Sequence, residues 1–254
     1  MAVLYLVATP IGNREDITIR ALKVLFTVGV IVAEDTRVTG NLLQMYRNTP
    51  ILASLELSSD HRPTLISCTD EAEAGKVKTV INYLQNGVDV ALVSDAGTPI
   101  VSDPGYKIVR GAIASGFRVV PIPGVSAVWT ALVASQLPPA SVYYCGFLPI
   151  KQRARNKYLR ELSVITKKMS KPCTVVAFES PHRLISCLND FRDVYGEDFR
   201  MTIGREMTKM HEQIELRSIN DWIAQFEKYP PKGEFTLCFV PSDSPKEVMT
   251  QEEN

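Results

Sequence analysis

Two carboxylates, three small hydroxyls and two glycines fall within thirteen residues in Val93-Ser94-Asp95-Ala96-Gly97-Thr98-Pro99-Ile100-Val101-Ser102-Asp103-Pro104-Gly105. Glycines let backbone amides approach a ligand closely, while Asp, Ser and Thr can hold hydroxyls, amines or a cation. Similar clusters stand at Ala8-Thr9-Pro10-Ile11-Gly12-Asn13, Ala33-Glu34-Asp35-Thr36-Arg37 and Pro123-Gly124-Val125-Ser126-Ala127. No G-x-G-x-x-G follows the first of these and no G-x-x-x-x-G-K-[ST] occurs, so a dinucleotide or a P-loop triphosphate is disfavoured. Five cysteines and three histidines are dispersed without C-x-x-C or His-rich spacing, which supports neither a disulfide framework nor a metal centre.

Each cluster follows a short apolar run: residues 3–8, 30–33, 88–93 and 117–121. With helical periodicity between them, including one helix capped by Asp16 and others over 40–46, 71–84 and 106–114, the first half predicts a mostly parallel sheet covered by helices. A further strand is expected at 51–54, followed by a polar loop over 56–69. In a parallel sheet all four clusters reach the carboxyl edge, where open α/β sheets bind small ligands. Beyond Leu137-Pro138-Pro139 strands become more frequent and alternate polar with apolar residues, at 142–147, 174–178, 201–204, 212–217 and 235–240. That pattern predicts a mixed or antiparallel sheet. The expected organisation is two α/β domains, 1–137 and 138–254, with a polar, frayed end from 242 onward.

The chain is 45% hydrophobic and 22% charged over 254 residues, enough for one large core or two smaller ones. Its start carries no basic flank, and no apolar run approaches the ~20 residues of a membrane span, so a cytoplasmic protein is expected. Net charge is zero, yet Lys151, Arg153, Arg155, Lys157, Arg160, Lys167, Lys168 and Lys171 are opposed only by Glu161, a local charge of +7. Such a run is either a solvated helix face or a surface for a phosphate backbone.

Taken with Gly146-Phe147-Leu148-Pro149, Glu179-Ser180-Pro181-His182-Arg183, Arg205-Glu206 and Thr208-Lys209, these clusters resemble in order and spacing the tetrapyrrole methylase superfamily, and within it the branch that methylates small-subunit ribosomal RNA. The resemblance covers residues 3 to about 240. It implies S-adenosylmethionine held between two α/β domains, 2′-O-methylation of a cytidine in the decoding region, and a homodimer. Carried over position by position, Pro10, Ser94, Asp95, Gly97, Thr98, Ser126, Ala127, Phe178, Gly233 and Glu234 would line the cofactor cleft. A base is needed for the weakly acidic 2′-hydroxyl. Asp35, Asp103, Glu179 and His182 are its candidates, with Arg37, Lys151, Arg153, Arg155, Arg183 and Arg205 on the RNA.

Two features depart from that branch. Ser54-Leu55-Glu56-Leu57-Ser58-Ser59-Asp60 stands where a His- and Asn-containing segment is usual, and many relatives continue into a small C-terminal region. Both departures throw more of the expected RNA affinity onto the 151–171 segment. A tetrapyrrole C-methylase, a diphthine synthase and a non-catalytic ribosome-binding protein are the alternatives. The first two generally carry a glycine-rich first turn, where this chain has Thr9-Pro10-Ile11-Gly12.

Overall fold

The computed structural model describes residues 1–47 and 49–241, so the expected frayed end at 242–254 lies outside the described residues. The chain divides into two compact units, Met1–Ser126 and Ala127–Asn254.

In the first unit β1 (Val3–Val7), β2 (Val30–Ala33), β3 (Thr64–Ser67), β4 (Val90–Val93) and β5 (Arg118–Ile122) form one sheet in the order β3-β2-β4-β1-β5. Every pairing is parallel. β2 and β4 are buried along their whole length because both faces are covered. Ile31, Ala33, Ala91 and Val93 pack toward α1 (Ile19–Leu25) and α2 (Thr36–Arg47), whereas Val30, Val32, Val90 and Leu92 pack toward α4 (Glu73–Gln85) and α5 (Tyr106–Ala114), with α3 (Pro50–Ser54) on the first face. The period-two alternation that sets a strand's faces thus divides one apolar run between two cores.

Three local expectations are corrected. Thr18, not Asp16, caps α1, its hydroxyl accepting the Ala21 amide at 3.1 Å, while Asp16 ends a short 3₁₀ turn. Residues 51–54 are helical: Pro50 sits at the first turn with φ already fixed for it, and a four-residue apolar run carries no period that separates strand from helix. The third strand instead lies inside the expected polar loop, as β3, an edge strand with exposed Thr64 and Ser67.

In the second unit β6 (Val142–Phe147), β7 (Thr174–Glu179), β8 (Arg200–Arg205), β9 (Gln213–Ser218) and β10 (Phe235–Phe239) run in the order β6-β7-β10-β8-β9. Only β6 and β7 are parallel, which makes the sheet mixed. One face buries Val175, Ala177, Met201, Ile203 and Leu237 with Phe191 and Trp222, contributed by α8 (Leu184–Tyr195) and α9 (Ile219–Lys228), beside α7 (Gln152–Thr166). Full burial of each Val, Leu, Ile, Phe or Met side chain among them contributes ~1.5–3 kcal/mol. On the other side α6 (Ala127–Val133) packs against β7 and β10. That packing is why the compact units part at Ser126 and not at Leu137. Pro138 lies inside the second unit, its carbonyl accepting the Thr174 hydroxyl at 2.7 Å.

Candidate active site

Hydrogen bonds tie the strand-end turns of the first unit into one edge. The Thr9 amide donates to the Gly97 carbonyl at 2.9 Å and the Gly97 amide returns the bond to Thr9 at 3.0 Å, joining the turn after β1, with buried Pro10, to the loop after β4. Thr98 Oγ1 donates to the Val125 carbonyl at 3.1 Å, which brings in the segment after β5 that leads to Ser126 and Ala127. Asp95 Oδ1 accepts the Asp35 amide at 3.0 Å and adds the end of β2. All four predicted clusters therefore meet.

The 94–105 loop is held in costly geometry. Ile100 and Ser102 have φ of 77° and 70°, beside Gly97 at 82° and Gly105 at 135°. A β-branched residue with positive φ is a true outlier, and strain of this kind persists only where surrounding structure fixes it. Buried Glu73 does part of that fixing: its Oε1 accepts the Gly105 and Lys107 amides at 3.0 and 2.6 Å, capping α5 from 32 residues away.

Electrostatically the edge is acidic. Burial pushes the Asp103 carboxyl up to about 6, helped by neighbouring Glu34, Asp95 and Asp70 and opposed by a hydrogen bond from Ser94. Glu34 is raised for the same reasons, burial first and then Asp95, Asp70 and Asp35. Asp95 is raised by burial, with a further push from Asp35. Asp35 goes the other way, down to about 2, because Arg37 binds its carboxylate by side chain and backbone. The Arg37 amide reaches Asp35 Oδ1 at 2.8 Å, so Asp35 also caps α2.

The other predicted positions belong to the second unit. Phe178 closes β7 against Tyr144 and Phe147, its ring centroid 5.3 and 5.8 Å from theirs. Glu179 is buried, with Oε1 bound to the Ser180 amide at 2.7 Å and to Arg183 Nε at 2.8 Å. Its carboxylate is thus committed to holding Arg183, while His182 is exposed. Gly233 (φ 98°) lies so close to Glu206 that an added Cβ would stand 2.4 Å from Oε1. Glu206 in turn accepts the Glu234 amide at 3.1 Å, and Lys209 bridges the two carboxylates at 3.0 and 2.8 Å. Arg205 Nε donates to the Lys232 carbonyl at 2.9 Å, and Lys151 and Arg153 are exposed at the start of α7.

Arg155 is corrected. Only 2% exposed, it is no surface cation: Nε and Nη2 hold Asp190 Oδ2 at 2.6 and 2.5 Å, and Nη1 donates to the Pro149 and Ile150 carbonyls, each at 3.2 Å. A charge run read along the sequence conceals which member turns inward at helical spacing. Three acidic residues escaped the sequence reading. Glu34 adjoins Asp35, Asp70 follows the unrecognised β3, and Glu73 looked like an ordinary first-turn carboxylate. For Asp70 no periodic signal was available, because Thr64-Leu65-Ile66-Ser67 sets two adjacent apolar residues between two polar ones and does not alternate.

An all-parallel sheet with a bonded acidic carboxyl edge, followed by a mixed sheet, defines a class. The profile of the Tetrapyrrole (Corrin/Porphyrin) Methylases matches residues 3–221, and the chain belongs to this family. Solved structures agree at the level of fold: a cobalt precorrin-4 methyltransferase of cobalamin biosynthesis has TM-score 0.60 at 19% identity, covering 96% of each chain. A uroporphyrin-III C-methyltransferase from Thermus thermophilus has TM-score 0.59 at 17% identity, covering 98% of this chain and 99% of that one. More specific is the similarity to curated proteins named ribosomal RNA small subunit methyltransferase I. That of Synechocystis sp. is 40% identical over 96% of this chain and 82% of its own length, and that of Thermotoga maritima 41% identical over 93% and 97%.

Proposed function

We propose that this chain is an S-adenosylmethionine-dependent methyltransferase that places a methyl group on the 2′-hydroxyl of a cytidine in the decoding region of small-subunit ribosomal RNA. The observation that carries the reading is the bonded carboxyl edge of the first unit, where Thr9, Asp35, Asp95, Gly97 and Thr98 lock four turns together. Relatives at about 40% identity named for ribosomal RNA support the substrate.

The donor set fits the cofactor. S-adenosylmethionine brings a sulfonium and an ammonium against one carboxylate, a net positive ligand, and when bound it supplies an electrophilic methyl group. Glu34, Asp35, Asp70, Asp95 and Asp103 give this edge the complementary sign. Ser94, Thr98 and Ser126 offer hydroxyls, and the 97–98 backbone, kept open by Gly97, offers amides. After transfer the demethylated product has lost its sulfonium charge, so the same acidic edge holds it less strongly.

Of the four candidate bases Asp103 is the one matched to the task. Asp35 is tied down by Arg37, and Glu179 is buried on Arg183, whereas the Asp103 carboxyl, held near 6, accepts a proton close to neutrality. Asp103 would take the proton of the 2′-oxygen, while the cofactor, when bound, would supply the methyl group that this oxygen receives. Lining up oxygen, carbon and sulfur can itself supply ~7–11 kcal/mol. The proposal includes a homodimer, tested by light scattering, and action in the cytoplasm beside ribosomes. Among the described residues no helix is long and apolar enough to cross a membrane.

The test is mass mapping of small-subunit RNA after incubation with labelled cofactor, with naked RNA and a porphyrinogen in parallel. A single ribose methyl on a decoding-region cytidine is expected. Label entering only the porphyrinogen would overturn the substrate assignment.

A further inference from the structure

Phe147 is a large apolar side chain left 55% exposed at the end of an edge strand, and two separate devices fix it there. The first is a register shift in the β6–β7 pairing between Tyr144 and Phe147, with Gly146 at φ 66°. Bulges of this kind re-aim a side chain. Here the shift sets Phe147 opposite Phe178, whose ring meets it edge-on at 5.8 Å. The second device lies on the far side: Leu148 is buried in the core, and the buried Arg155–Asp190 pair grips the Pro149 and Ile150 carbonyls. Between bulge and ion pair, Phe147 has a fixed backbone and an aromatic partner behind it.

Chemistry around the ring selects the occupant. Ile150 follows at 77% exposure, and the exposed cations Lys151 and Arg153 come next, at the start of a helix whose exposed residues also include Lys157 and Arg160. A rigid exposed aromatic followed within six residues by two cations is the combination that binds single-stranded nucleic acid, where bases stack on aromatic rings while Lys and Arg follow the phosphates. We propose that Phe147 is a stacking platform for an unpaired base of the RNA substrate, with Lys151 and Arg153 on the adjoining phosphates and Arg155 acting as a positioning residue from within the core. The proposal rests on the RNA reading above and adds to it the residue that receives a base.

The test compares Phe147→Ala, Phe147→Trp and the wild-type chain for affinity to a short single-stranded RNA and for kcat/KM on small subunits. Alanine is expected to weaken RNA binding and lower kcat/KM by roughly 5- to 150-fold, the range of one lost base stack. The slope of log affinity against log salt should stay unchanged, since no phosphate contact is removed. Tryptophan should restore binding. Lys151→Gln with Arg153→Gln should do the opposite and flatten the salt slope. Full RNA affinity in Phe147→Ala, a loss that tryptophan does not restore, or a loss that follows a change in oligomeric state would each overturn the platform, the last by giving the patch to a second copy of the chain. A wild-type chain that neither binds nor methylates RNA would overturn the RNA reading itself, an outcome separable from an indifferent Phe147.

Discussion

The carboxyl edge of the first unit and the basic helix α7 of the second are both dense in charge, and they are built in opposite ways. At the edge, carboxylates accept backbone amides, two turns exchange paired hydrogen bonds, and Ile100 and Ser102 are strained into positive φ. On α7 the exposed cations Arg153, Lys157 and Arg160 project from one amphipathic helix, and Lys157 pairs with Glu161 at 3.7 Å. An exposed pair of that kind contributes little, about 0.3–0.5 kcal/mol. A small ligand must be met by groups already fixed in place, because any reorganisation on binding subtracts from affinity. A polyanion needs only sign and reach. Arg155, lying in the middle of the basic run, follows the first rule and not the second.

The contrast is broken most severely at Arg155. Removing one partner of a buried ion pair strands the other, at a cost of about 3–5 kcal/mol. Arg155→Ala should therefore lower the midpoint of urea unfolding far more than Arg153→Ala does, and equal, small effects would return Arg155 to the surface class. Next comes the edge. Asp95→Ala removes a charged acceptor from the Asp35 amide, and hydrogen bonds to charged groups contribute about 1.5–3 kcal/mol. Calorimetry should show roughly ten- to hundred-fold weaker cofactor binding with RNA affinity intact.

Smaller still is the effect on α7. Lys151→Gln, Arg153→Gln, Lys157→Gln and Arg160→Gln together should flatten the salt dependence of RNA binding by roughly two to three units, at ~0.7–0.9 per phosphate, and leave the cofactor alone. An unchanged slope in a folded variant would make α7 a solvated face.

The smallest effects are those of pH, and they run in opposite directions at two carboxyls 68 residues apart. Asp103 is raised in the folded chain from 3.8 to about 6, so folded protein binds its proton more tightly. Its contribution to stability is full below pH ~4 and is lost as pH climbs through ~6. Asp35, lowered to about 2, contributes above pH ~4 and loses that contribution as pH falls toward 2. Asp103→Asn should flatten the decline between pH 4 and 6, and in the wild-type chain kcat/KM should rise over the same interval as the base loses its proton. A profile flat from pH 5 to 7 would remove Asp103 from that role.

Much of this arrangement is legible in the residues. The all-buried strands β2 and β4 announce themselves as continuous apolar runs, and Gly, Ser, Thr and Asp mark the turns that follow them, so the edge is legible in the sequence. What escaped was whatever depends on distant partners. Glu73 caps a helix that begins 33 residues later, Arg155 turns inward because Asp190 waits on another helix, and β3 is too short and too exposed for periodicity to reveal. The boundary at Ser126 was hidden for a related reason: α6 follows β5 in sequence like any crossover helix, and only its packing on β7 and β10 assigns it to the second unit.

Amide hydrogen exchange with and without S-adenosylmethionine tests the central claim most directly. Cofactor should slow exchange across the 94–105 loop and at Thr9 and Gly97, while the exposed face of α7 exchanges as before. Slowing confined to α7, with the 94–105 loop untouched, would contradict it.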